Sequence, residues 1–519
     1  MGWRFVSTRT ASTPPSCSTS EPAAAFRRVE ASMEPIIEVS RPSTPLLRQL
    51  GPALHELDKG FRADMRVPAR IVADDELLRR MAEDRSILQL VNVTTLPGIQ
   101  GFAIGMPDMH EGYGFPVGGV AGTLLPDGVI SPGGIGFDIN CGVRLLATGL
   151  RHLEVSGDLP ALAHDLARSI PTGFGRHGRL ALKPAELDHV LADGVPYVMG
   201  VLGLGTREDL AHIEAGGHLP AADAARVSTR ARERGHDQLG TLGGGNHFIE
   251  IQRVEHIHDA EAAAAFGLFE GQLTVLIHTG SRGLGHQVCT DAVRKMDQAL
   301  AREGIRLVDR QLACAPFSSP EGQDYYAAMC AAANFAWSNR QVLTHRVREV
   351  FGRRLGERTE TWARVVYDVA HNIAKVETYG GQKLCVHRKG ATRAFGPGEP
   401  ELPTAYARVG QPVFIPGSMG TASFVLTGQG GSRDISFASA CHGAGRQLSR
   451  AAAKRQVVGA ELRKALNARG IIVECPSNAE LAEEAPEAYK DVDRVVDAVE
   501  TAGIARKVAR LVPLAVLKG

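Results

Sequence analysis

Residues 105–144 read GMPDMHEGYGFPVGGVAGTLLPDGVISPGGIGFDINCGVR. Glycine and proline interrupt every apolar run here, GGVAGTLL being the longest. Such punctuation stops helices and permits tight turns, so the stretch is expected to form short strands joined by close loops. Working outward, helical periodicity covers 159–170, 221–235 and 286–302, and an acid-rich first turn opens a helix over 75–84. A long helix is expected over 324–355, with Gln, Asn and Arg along one side. A basic helical stretch covers 444–470. LTVLIHTG (273–280) reads as an apolar strand ending in a turn. RVVYDVAHN (364–372) and QPVFIPG (411–417) read as strand then loop. Helices and strands alternate without barrel rhythm, and no repeat is visible. The expectation is an α+β fold of mixed α/β character.

The first residues differ in kind. RTASTPPSCSTSEPAAAFRR is rich in Ser, Thr, Pro and Ala and has no continuous apolar core. Residues 1–39 are expected to be a disordered tail, with Met33 as an alternative start, and 40–519 the folded catalytic domain.

Composition excludes more than it selects. Hydrophobic residues at 44% and charged residues at 22% suit a globular protein without membrane spans. Lys+Arg 58 against Asp+Glu 57 leaves a net charge of +1, so any nucleic acid must be met by a local patch. Aromatics at 5% argue against a protein that only grips RNA by stacking. The eight cysteines are scattered with no C-x-x-C pair, which points to a reducing, cytoplasmic setting.

Five histidines share one local architecture: His110, His247, His278, His371 and His442 each follow a short apolar run beside glycine or a small polar residue. A lone histidine of this kind is usually a hydrogen-bonded structural residue; five suggest a site at strand ends. Asp138 and Cys141 lie three apart in GFDINCGVR, a spacing at which one turn can aim carboxylate and thiol into one volume. With histidines from elsewhere this suits Zn²⁺, Mn²⁺ or Fe²⁺, and a buried apolar role for Cys141 is equally compatible. GGGNH (243–247), PGSMG (416–420) and HGAGR (442–446) allow backbone N–H groups to approach a phosphate. HGAGR is expected to lead straight into a helix whose N-terminus favours an anion. Arg144, Arg282, Arg388, Lys389, Arg393 and Arg446 accompany these motifs. The run HRKGATR (387–393) reads as a loop suited to an oligoanion. No GK dipeptide, K-x-D-G, H-E-x-x-H or G-x-S-x-G occurs, which removes Walker loops, lysine-nucleotidyl ligases, zincins and serine hydrolases.

Taken in order, MPDMHEGYGFPVGG, GFDINCGVR, GGGNHFIE, HTGSRG, VAHN, VHRKGATRA, PGSMGTASFVL, HGAGR, EEAPEAYKDVD and the final LKG resemble the RNA-splicing ligases of the RtcB family. The resemblance implies an RtcB-type catalytic fold with its site at strand ends and glycine-rich loops. It implies joining of an RNA 2′,3′-cyclic phosphate or 3′-phosphate end to a 5′-hydroxyl end, with GTP and two Mn²⁺ ions, in tRNA splicing or RNA repair. Asp138, Cys141 and His247 would hold one ion, and Cys141, His278 and His371 the other. His442 would take GMP from GTP. The nucleotide would be met by Asn246, His247, Phe248, Glu250, Asn372, Lys389, Pro416, Gly417, Ser418, Met419, Ser423, Gly443, Ala444, Gly445, Tyr489 and Lys518, with Glu250 and Lys518 on the guanine edge. Asp108 matches a position tied to activity. An archease-type activator is a further implied partner. The rival classes are a metal-dependent phosphatase or cyclic phosphodiesterase, which needs no nucleotide, and a non-catalytic RNA-binding subunit, which forms no covalent adduct.

Overall fold

The computed structural model describes residues 47–173, 175, 177–356 and 362–519; the tail expected over 1–39 lies outside them. Two large sheets and a set of helices make the mixed α+β architecture anticipated from the punctuation of 105–144. One sheet has seven strands in the order Leu47–Gly51, Leu54–Leu57, Ala69–Val72, Ile99–His110, Val117–Leu124, Gln382–Lys389 and Asn372–Tyr379. The other runs Arg364–Ala370, Gly142–Arg151, Gln272–Thr279, Phe248–Ile257, Ala505–Lys518, Ser423–Gly428 and Pro412–Ile415, with Ile472–Glu474 added in parallel beside Ala505–Lys518. No helix among the described residues is long and apolar enough to cross a membrane. The seven described cysteines are free thiols.

Register places one end of the second sheet in a line. Ala370 pairs with Gly142, Val143 with His278, His278 with Phe248, and Phe248 with Lys518. Five strands therefore deliver their ends to one place. The first sheet contributes there too, because Asn372 pairs with Lys389 at the end of that pair. The segment 364–372, expected as strand then loop, has no loop. Strand Arg364–Ala370 passes through His371 directly into strand Asn372–Tyr379, so His371 stands where the chain crosses from one sheet to the other.

The long helix is Pro320–Leu355, started by Ser319, whose side chain accepts from Gly322 N. The polar residues of its middle, Asn334, Ser338, Asn339, Arg340, Gln341, Thr344 and Arg348, are buried, since that part runs through the core. Asn339 and Arg340 bind loop backbone: Asn339 Oδ1 accepts from Gly240 N at 2.7 Å, and its amide donates to Thr241 O and Gly280 O. Arg340 donates to Asn140 O at 2.9 Å and Thr279 O at 2.8 Å, and forks onto Asp368, which also takes Arg144 at 2.7 Å. Buried polar groups need such partners. Here the partners are the loops that carry Asp138, Cys141, His247 and the end of the His278 strand.

Other expectations shift. The helix over 75–84 is Asp75–Met81; Asp84 instead accepts from Ser86 N and Glu111 N. The helix over 221–235 is a 3₁₀ turn Ala224–Arg226 and a helix Thr229–Gly235, separated at Ser228, which caps the second. The stretch 444–470 holds two helices, Arg450–Gln456 and Gly459–Ala468. HGAGR therefore does not lead straight into a helix. Gly445 has φ +74° and lies against the Asp108 backbone, where a side chain would collide, and the helix begins only after the Ser449 cap. The anion-binding helix end expected near His442 is absent. HRKGATR is not a loop: it is the end of strand Gln382–Lys389, Gly390, and strand Ala391–Arg393.

Candidate functional site

The strand ends frame a cavity of about 690 Å³ bordered by Asp138, Cys141, His278, His371 and His442 at one side and by Glu250, Tyr489 and Lys518 at another. The turn Phe137–Cys141 closes with Cys141 N donating to Asp138 O at 2.9 Å, and Asn140 adopts φ +50°, held by Arg340 at both its carbonyl and its side-chain oxygen. This points Asp138 and Cys141 the same way. The facing residue Gly280 has no side chain, and a Cβ there would strike the Asp138 carboxylate.

Two groups of ligand-type atoms meet at Cys141. Its Sγ lies 3.3 Å from His247 Nε2 and 3.3 Å from His278 Nε2. His247 Nε2 is 2.8 Å from Asp138 Oδ2, and His278 Nε2 is 3.3 Å from His371 Nε2. Asp138, Cys141 and His247 form one cluster, and Cys141, His278 and His371 the other, each with its ligand atoms within 4.8 Å of one another. His247 Nδ1 donates to Leu242 O at 3.1 Å, which leaves the Nε2 lone pair for the cluster. Burial, then neighbouring histidines, pushes His278 and His371 well below the usual imidazole pKa, so both rings are neutral donors. Burial drives the Cys141 thiol upward, reinforced by Asp138. Asp138 is held at about 2, its burial being outweighed by His247 and Arg282. The set of one carboxylate, one thiol and three imidazoles fits two borderline divalent ions sharing the sulfur.

His442 follows strand Ser439–Cys441, which pairs with Ala391–Arg393, and its ring centroid is 4.9 Å from that of His371. Asp108, fully buried, takes His442 Nδ1 at 2.6 Å and His442 N at 3.1 Å on one oxygen. That fixes the tautomer and leaves the Nε2 lone pair free. Lys490 donates to Pro107 O and Met109 O on either side of Asp108. The role of Asp108 was not legible in sequence: it lies 334 residues from His442, with no motif joining them.

At the other wall Glu250 is buried and raised to about 8 by desolvation, against the opposing pulls of Gln252 and Lys518. Gln252 bridges Glu250 to Ser423 at 2.5 and 3.1 Å. Ser423 thus stands behind the wall, without bordering the cavity, and accepts from Gly417 N at 3.4 Å. Phe248 lies beneath Lys518 Nζ, 5.5 Å from its ring centroid. Glu484, absent from the sequence-level candidates, faces Lys518 at 3.8 Å, accepts from Tyr489 Oη, and pairs with Arg446 at 3.2 Å. Its burial is outweighed by Lys518 and Arg446, which lower its pKa. Only the acidic run in EEAPEAY hinted at it. Asn246, Pro416, Gly417, Ser418, Met419, Gly443, Ala444 and Gly445 border the same cavity. Asn372 ties its two sides, donating to Asp138 O and accepting from Gly390 N. Lys389 donates to Tyr113 O and Phe115 O, and burial lowers it to about 7. His110 borders the cavity, but its Nδ1 is turned to Asp108 O.

The two arginines of the run expected to meet an oligoanion do not face it, and neither does Arg144. Arg144, Arg388 and Arg393 are fully buried and ion-paired to Asp368, Glu377, and Glu214 with Glu401. Arginine beside a site histidine reads in sequence as a phosphate contact; here it ties strands together. Arg282 is mostly buried against Thr241 and His247, and Arg446 alone of the arginine candidates borders the cavity.

Residues 89–519 match the family described as tRNA-splicing ligase RtcB. The chain is 53% identical over 464 residues to a tRNA-splicing ligase RtcB of Thermococcus kodakarensis, covering 88% of this chain and 96% of that protein. It is 50% identical over 479 residues to that of Archaeoglobus fulgidus, covering 91% and 99%. To an RNA-splicing ligase RtcB of Mycobacterium tuberculosis it is 53% identical over 439 residues, covering 83% and 100%.

Proposed function

The chain belongs to the RtcB family of tRNA-splicing ligases, and from that premise we propose a GTP-dependent RNA ligase that works through a guanylylated His442. The observation that carries this reading is the clamp of His442 Nδ1 by buried Asp108, beside the five-ligand cluster and across one cavity from Glu250 and Lys518. A phosphatase would need the cluster but neither the clamped histidine nor the second wall.

In the proposed reaction His442 Nε2 attacks the α-phosphorus of GTP. An N–P bond forms, the bond to the bridging oxygen breaks, and pyrophosphate leaves. Asp108 steadies the charge that grows on the ring. The P–N bond then yields GMP to an RNA 3′-phosphate, and a 5′-hydroxyl displaces GMP to make the phosphodiester. A 2′,3′-cyclic phosphate end is first opened by water to the 3′-phosphate. Glu250 as a carboxylate would accept from guanine N1–H and the 2-amino group, and Lys518 would donate to O6. Asp138, Cys141 and His247 would hold one Mn²⁺, and Cys141, His278 and His371 a second, which supply charge neutralisation and in-line orientation at phosphate. Manganese, rather than zinc, rests on family membership. The catalytic unit is taken as residues 40–519, with 1–39 outside it; a cytoplasmic setting and an archease-type activator are part of the same reading.

The test is incubation with α-labelled GTP and Mn²⁺ beside His442→Ala. The expected result is acid-labile label on the wild type and none on the variant. Equal labelling of both would move the nucleophile elsewhere. No label on the folded, metal-loaded wild type, with archease added, would favour the hydrolase.

A further inference from the structure

The ring system at the cavity mouth has no part in the chemistry above. Phe137, next to Asp138, and Tyr113 both border the cavity, with ring centroids 5.3 Å apart. His286, on the helix Arg282–Ala299, stacks on Phe137 with centroids 4.9 Å apart and planes 25° from parallel. Tyr113 and Phe137 are half-buried, whereas His286 is exposed and lies outside the cavity lining. The Phe137–His286 stack therefore runs from beside a ligand of the cluster out to solvent, with Tyr113 meeting Phe137 at a tilt of 58°. Partial desolvation, followed by Arg234, lowers the His286 pKa, which favours the neutral ring.

Building on the ligase reading, we infer that His286, backed by Phe137 and Tyr113, is a stacking platform for a nucleobase of the RNA end held at the cluster. Every base presents a π-face, so the platform grips an end without choosing its sequence. It lets a chain of near-zero net charge hold RNA beside its reacting phosphate. The base belongs either to the 5′-hydroxyl strand or to the 3′-phosphate strand; the chemistry of recognition is the same.

The experiment uses two RNA oligonucleotides with 2-aminopurine at the end nucleotide, one on each strand, titrated with the full chain, His286→Ala and His286→Phe. The expected result is quenching by the wild type on one of the two strands. Quenching is lost in His286→Ala with a Kd about tenfold weaker, and restored in His286→Phe. Protein guanylylation, which needs no RNA, is measured alongside. Equal quenching and equal Kd in His286→Ala overturns the platform while leaving the ligase intact. A parallel fall in guanylylation also overturns it, since the ring would then only support the fold. Absence of both guanylylation and RNA joining in the wild type defeats the ligase reading itself, and the platform with it.

Discussion

Replacing Asp108 by asparagine isolates the charge behind His442. One Asp108 oxygen accepts both His442 Nδ1, at 2.6 Å, and His442 N, at 3.1 Å. Asparagine can keep its oxygen at that point, so the tautomer and the loop are preserved and only the negative charge is lost. A hydrogen bond to a charged group is worth about 1.5–3 kcal/mol and a neutral one about 0.5–1.5, so roughly 1–2 kcal/mol of stabilisation disappears as the ring gains charge. That corresponds to guanylylation about 5- to 30-fold slower. Asp108→Ala removes the acceptor altogether, frees the tautomer and leaves a buried N–H unpaired, so its loss exceeds about 100-fold. The assay is single-turnover transfer of labelled GMP to the protein, with bound metal checked in each variant. Wild-type rates in Asp108→Asn and Asp108→Ala, with metal retained, would refute the argument that the clamp serves the nucleophile.

Cys141 belongs to both ligand groups, so Cys141→Ser is expected to lose both ions by elemental analysis where His371→Ala loses one; two ions retained by Cys141→Ser would exclude a shared sulfur. Glu250 is protonated below about 8, and guanine needs its carboxylate, so affinity must rise with pH. Between pH 6 and 8 the ionised fraction grows about 50-fold, and calorimetry with guanosine should follow it, flat for Glu250→Gln; a flat wild-type profile would remove Glu250 from the base site. Arg340→Met strips Asp368 of its forked partner and frees the Asn140 and Thr279 carbonyls. It should cost about 3–5 kcal/mol in denaturant unfolding, and a loss under 1 would show the network to be slack. Arg388→Met should be similarly unstable, through Glu377, yet leave the salt dependence of RNA binding unchanged; a slope reduced by about 1 would return Arg388 to the RNA surface.

The strands, the long helix and the positions of the ligand-type residues were legible because local chemistry decides them. Glycine and proline bound short apolar runs in 105–144, and residues 324–351 are free of both breakers. What lay hidden depended on contacts between distant segments. The pairing of His442 with Asp108 joins residues 334 apart, and the resemblance that marked Asp108 gave it no partner. Glu484 meets Lys518 only across the fold, where strand Ala505–Lys518 ends beside it. The helix expected after HGAGR failed for a local reason that pattern alone underweights. Gly445 needs a positive φ to pass the Asp108 backbone, and helical periodicity further along masked the break.

The misreading of the arginines bears on how the site works. Loops are the least rigid parts of a fold, yet Asp138, Cys141, His247 and His442 all stand on loops or at strand ends. Ligand atoms about 3 Å apart would drift out of register if those loops were free. The structure ties them from behind with fully buried charge: Arg340 and Arg144 on Asp368 grip the 138–141 turn and the Thr279 end, and Arg388 on Glu377 steadies the strand that ends in Lys389. Burying such pairs brings little net stability, since desolvation opposes the attraction. Their value lies in geometry, because a forked guanidinium satisfies several carbonyls in one arrangement only. Arg144, Arg340 and Arg388 thus act on the fold side of the site. The cavity side holds Arg446 together with Glu250, Lys389 and Lys518, the last three each shifted by burial toward the neutral form.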